Sequence, residues 1–133
     1  MYGTEFNEVA NPKAYHIHVY FEKGTPSEME AIVLMDALLS KFPAGIRGVH
    51  EVDAGRGPHT QPNLSATIKN DAFGAVVSWL QMNNRGLSIL IHPRTGDEWK
   101  DHAEAPLWIR NPVAFDPAFL EQVRPKKAGK PGL

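Results

Sequence analysis

No cysteine occurs among the 133 residues, and this absence removes disulfides, thiolate nucleophiles and sulfur-ligated zinc together. Any metal here must be held by nitrogen and oxygen. No apolar run approaches the roughly 18 residues that a membrane-spanning helix needs, and the opening MYGTEFNEVANPK lacks the basic-then-apolar layout of a secretion signal. A cytoplasmic protein with no membrane partner is expected. An excess of charge is missing as well: 14 Lys and Arg stand against 15 Asp and Glu, a formal net charge of −1, so nothing electrostatic favours nucleic acid. A small, roughly neutral partner fits better. The one glycine-rich piece, GRGPH, does not join a strand to a helix, which argues against a phosphate cradle.

The length suits one domain with a real core and is short for two. Residues 1–13 are polar and end near Pro12, and read as an N-terminal arm. From Tyr15 to Phe21 the chain alternates Tyr15, Ile17, Val19, Phe21 against His16, His18, Tyr20, the period of a strand. In GTPSEMEAIVLMDALLSKF, Thr25, Pro26 and Glu28 make a helix start with a capping box. Ile32, Met35, Leu39 and Phe42 then form an apolar stripe that Ala31, Leu34 and Leu38 widen. IRGVHEVD predicts a second strand, AGRGPHTQP a loop, and NLSATIKN a third strand paired antiparallel with the second. Capped by Asn70, a second helix places Phe73, Val76, Val77 and Leu80 at i, i+3, i+4 and i+7, and LSILIH is a fourth strand.

Strand, helix, strand, strand, helix, strand is the split βαβ, or ferredoxin-like, order. The expected fold is therefore α+β: an antiparallel four-stranded sheet with both helices on one face, spanning residues 14–110. A loop-rich extension, residues 111–123, is expected to wrap the open face, and residues 124–133 form a flexible basic tail.

Six histidines stand at 16, 18, 50, 59, 92 and 102. His16 and His18 point the same way from one strand, their Cα atoms about 6.5–7 Å apart. On the fourth strand Leu87, Ile89 and Ile91 form the apolar set, so His92 emerges on the open face with the His-x-His pair. Several converging imidazoles suit Fe, Zn, Cu or Ni. His59 and His102 lie in segments able to reach over the sheet. His50 reads as outward-facing beside Glu51. A carboxylate ligand could come from Glu51, Asp97 or Asp101, and the spacing picks none of them. Arg85 matches a substrate carboxylate by its guanidinium fork, and Tyr20, Trp99 and Trp108 could wall an aromatic pocket.

YHIHVYF, GPH before a strand, and NRGLSILIHPRTGDE followed by DH and a tryptophan together resemble the DOPA 4,5-dioxygenase family of fungi and bacteria over about Tyr15 to Ile109. The resemblance implies a small ferredoxin-like extradiol dioxygenase that uses Fe(II) and O₂ to open a catechol ring. It puts weight on His16, His18, His59, His92 and His102. The implied metal ligands are His18, His59 and His92, with His16 or His102 as acid/base. Arg85, Tyr20 and Trp108 would contact the substrate. An open sheet face and an apolar edge suggest a homodimer. The competing expectations are a non-catalytic ferredoxin-like dimer that binds a small aromatic ligand, and a metal-free dimeric α+β-barrel monooxygenase.

Overall fold

A computed structural model of the chain describes residues 12–125. The expected arm, residues 1–13, lies outside the described residues except for its last two, and the basic tail, 124–133, except for its first two. Strand β1, Ala14–Tyr20, follows from the alternation. Helix α1, Pro26–Lys41, starts as Pro26 predicts, but its capping box is not made. Glu28 reaches back to the Gly24 N–H, while the Thr25 hydroxyl is spent on the Glu22 carbonyl. The apolar stripe is also rotated. Ala31, Leu34, Met35 and Leu38 face the sheet, and Ile32 is 47% exposed.

Strand β2, Ile46–Val52, carries a bulge between Arg47 and His50, where Gly48 takes φ +71°. Strand β3 is Asn63–Lys69. Asn70 does not cap the next helix directly: a 3₁₀ turn, Asn70–Ala72, intervenes before α2, Phe73–Met82. Strand β4 is Ile89–Pro93. Among the described residues, no helix is long and apolar enough to cross a membrane.

The sheet runs β2-β3-β1-β4 in the expected split βαβ order, with every pair antiparallel. It does not stop at four strands. β5, Leu107–Ile109, adds to the β4 edge, with Trp108 across from Leu90. Three residues are too few to show an alternation in sequence, and only the neighbouring β4 edge makes them a strand. Period two then divides the sheet. Ile17, Val19, Ile68, Ile89 and Ile91 pack with Leu34 and Leu38 of α1 and Val76 and Leu80 of α2 in one core. His16, His18, Tyr20, His92 and Trp108 occupy the other face. The extension folds back over that face: Asp116 N–H donates to the Pro58 carbonyl (2.8 Å) and the Thr60 hydroxyl to the Ala114 carbonyl (2.8 Å). It ends in a short helix α3, Pro117–Val123, capped by Asp116.

Candidate functional site

The site is assembled first by register. His16 of β1 pairs directly across from His92 of β4, and His18 lies one pleat further along β1 on the same face. One ring nitrogen from each of these three residues lies within 4.8 Å of the others. The partners behind the rings decide what those nitrogens are. His18 Nδ1 donates to Asn63 Oδ1 at 2.9 Å, and Asn63 Nδ2 donates to the Gln61 carbonyl, which fixes the amide's orientation. His92 Nδ1 donates to the Pro93 carbonyl at 2.8 Å. A carbonyl oxygen accepts and never donates, so each Nδ1 holds the proton and each Nε2 a lone pair.

Burial keeps the rings neutral. It holds His18 well below the usual histidine range, and the neighbouring His59, whose protonation would compete with that of His18, adds to the lowering. His92 is pushed down to about 3 by burial and then by His102, and His16 to about 4 by burial and then by Arg94. The two Nε2 atoms of His18 and His92 nevertheless stand only 3.1 Å apart. Two lone pairs at that distance repel unless a cation lies against both. The donor set therefore fits a divalent metal held by neutral imidazoles, those of His18 and His92 with their second nitrogens tied back.

Two more histidines close on this trio. His59 is buried in the loop before β3, held by its own N–H on the Arg56 carbonyl and by Gly55 N–H on its carbonyl. Its ring is 4.2 Å from that of His18, and its Nδ1 is 2.7 Å from the Tyr20 hydroxyl. Burial raises Tyr20 above the ordinary phenol value, so it stays protonated. His102 sits in a π-helical turn, Lys100–Glu104, a form that recurs at functional sites. Its Nδ1 donates to the Glu98 carbonyl (3.0 Å), leaving Nε2 as an acceptor, and its ring is 4.2 Å from that of His92. The adjacent Asp101 is buried and anchors the turn to Thr95 through N–H (3.0 Å) and hydroxyl (2.6 Å). Phe115 and Phe119 lie edge-on against His102, and Tyr20, Trp108 and Phe115 continue the aromatic wall.

The expected residues do not all arrive in their expected places. The convergent trio is His16, His18 and His92, so His16 takes the place expected of His59, and His59 turns to Tyr20. Arg85 is not at the site. Its backbone turns at φ +55° after α2, and its guanidinium pairs with Glu30 of α1 on the helix side of the sheet. Trp99 lies away from the wall, its indole N–H on Glu104 and Arg124 over its ring. Glu51 pairs with Lys23 rather than His50, Asp97 receives the Lys100 N–H, and none of the three carboxylates proposed joins the trio.

A cavity of about 300 Å³ opens on the trio, with His59, His102, Arg56 and Glu98 in its lining and the exposed His50 at its edge. A second, of about 430 Å³, adjoins it across His16 and His92, with Arg94 and Asp101. Asn63, Arg56 and Glu98 were not singled out in the sequence. For Asn63 the available signal was an amide opening a strand next to the HxH strand; for the other two it was only their closeness to His59 and His102.

A model of the Dopa 4,5-dioxygenase family matches residues 15–119. The DOPA 4,5-dioxygenase of Amanita muscaria is 34% identical over 103 residues, covering 73% of this chain and 45% of that enzyme. The chain thus spans about half the length of that relative. An uncharacterised 21.2 kDa protein of Botryotinia fuckeliana is 27% identical over 124 residues, or 86% of this chain and 67% of that one. A crystal structure of a candidate dioxygenase from Nostoc punctiforme PCC 73102 superposes with TM-score 0.73 at 31% identity, covering 90% of this chain and 99% of that one.

Proposed function

The chain belongs to the Dopa 4,5-dioxygenase family, and from that premise we propose that it is an iron(II)-dependent extradiol dioxygenase acting on a small, DOPA-like catechol. The observation that carries this reading is the pair of His18 and His92 Nε2 lone pairs 3.1 Å apart, with both Nδ1 protons committed elsewhere. His16, His18 and His92 would hold the metal. When bound, divalent iron supplies Lewis acidity toward the catechol oxygens and a place where ring and O₂ meet.

The chain's own residues do the rest. Asn63 and the Pro93 carbonyl aim two imidazoles inward before any ligand arrives, so little reorganisation is needed. His102 Nε2, an acceptor at the cavity wall, takes the proton of a catechol hydroxyl as general base. Tyr20, Trp108 and Phe115 stack on one another beside the histidines and make that flank of the site apolar. Extradiol cleavage breaks the ring bond beside the two hydroxyl-bearing carbons and leaves both atoms of O₂ in the product, so no external reductant is needed.

The test is anaerobic reconstitution of the metal-free chain with Fe(II), followed by L-DOPA, caffeate or protocatechuate and O₂. One iron per chain and a yellow ring-opened product are expected, both lost in His18→Ala and in His92→Ala. Ring cleavage that survives complete chelation, or either variant turning over normally, contradicts the assignment.

A further inference from the structure

The five buried or half-buried histidines around the cavity are not chemically alike, and the hydrogen bonds behind the rings sort four of them. His18, His92 and His102 each give their Nδ1 proton to an oxygen that can only accept: Asn63 Oδ1, the Pro93 carbonyl and the Glu98 carbonyl. Each therefore presents a lone pair on Nε2. His59 has a different partner, a hydroxyl, which is able to donate.

The direction of that bond follows from the accounting of buried protons. Tyr20 is buried, and among the described residues the partner of its hydroxyl is His59 Nδ1, at 2.7 Å. If His59 donated, the phenol proton would be left in the interior with no acceptor, at a cost of about 1–3 kcal/mol. If Tyr20 donates, both groups are satisfied. His59 Nδ1 then carries the lone pair and its Nε2, on the far side of the ring, carries the proton.

We infer that Tyr20 is a positioning residue that locks His59 into the Nε2–H tautomer, removing it from the ligand set and making it a hydrogen-bond donor to an oxygen anion in the cavity. A neutral imidazole with its proton on Nε2 cannot coordinate through that nitrogen. It is suited to a bound ligand oxygen that carries negative charge. The convergence of His16, rather than His59, with His18 and His92 is the geometric counterpart of this chemistry. The His59 N–H on the Arg56 carbonyl and the Gly55 N–H on the His59 carbonyl fix the main chain that carries the ring. What His59 donates to rests on the dioxygenase reading; the tautomer does not.

Long-range proton–nitrogen NMR correlation on the ¹⁵N-labelled, metal-free chain near neutral pH reads each tautomer directly. His59 is expected to show a protonated Nε2 and a bare Nδ1, with His18, His92 and His102 showing the reverse. Tyr20→Phe, with the strand amide spectrum unchanged, should move His59 toward the Nδ1–H form. Zn²⁺ titration supplies an independent arm: His59→Ala keeps affinity within about threefold, whereas His18→Ala loses at least about a hundredfold. A protonated His59 Nδ1 in the unsubstituted chain, an unmoved tautomer in Tyr20→Phe, or a His59→Ala loss as deep as that of His18→Ala overturns the inference. None of these readouts involves ring cleavage, so failure of the enzymatic reading and failure of this one are distinguishable.

Discussion

A neutral imidazole carries one proton on two nitrogens, and at this site the partner behind each ring decides which nitrogen the cavity sees. His16, His18 and His92 were placed on one face by alternation alone, because a pleated strand leaves no other choice. The convergent trio contains His16 where His59 is expected, because a strand pattern cannot say which of its neighbours a loop histidine will bond; His59 Nδ1 meets the Tyr20 hydroxyl. Asn63 was invisible for a related reason: its role depends on the β1–β3 register, which puts it across from Tyr20 and within reach of His18. Replacing Asn63 with Ala leaves the His18 Nδ1 proton buried without its acceptor. Metal affinity should fall about 10–100-fold in a competition titration, with the fold retained. Affinity unchanged in that variant would show that the His18 tautomer is not fixed from behind.

At the scale of the elements, the strands and helices that carry long periodic patterns were legible, while the pieces that depend on their neighbours were not. The rotation of α1 is an example: two overlapping apolar stripes run along it, and the sheet accepts Ala31, Leu34, Met35 and Leu38 over the one containing Ile32. Leu38→Ala should cost about 2–5 kcal/mol by urea denaturation through the cavity it leaves, and Ile32→Ala no more than about 0.5 kcal/mol. Equal costs would place the helix in the orientation first expected. β5 and the π-helical turn belong to the same class, since the first exists only as an addition to the β4 edge and the second is tied down by the Asp101–Thr95 contacts. Phe115 and Phe119 pack edge-on against His102 of that turn, and His102 in turn lines the cavity on the open sheet face.

For the whole molecule, gathering neutral histidines on one sheet face has a thermodynamic consequence. The values of His16 and His59 are lowered to about 4 and that of His92 to about 3, in each case chiefly by burial. Between these values and 6.5 the unfolded chain binds protons that the folded chain refuses, so stability rises with pH across that window and is complete above it. The melting temperature of the metal-free protein should therefore fall as pH drops from 6.5 towards 4, and saturating Zn²⁺ should raise it at neutral pH by mass action. A flat profile across that range would mean that the rings are already charged in the folded state. The central claim, that this sheet face uses iron and O₂ to open a catechol, is met most directly by turnover of the iron(II)-loaded chain with isotopically heavy O₂ and mass spectrometry of the product. The account predicts a ring-opened product carrying the heavy label in its new carboxylate, with one O₂ consumed per catechol. An unlabelled quinone, with O₂ recovered as hydrogen peroxide, would contradict it.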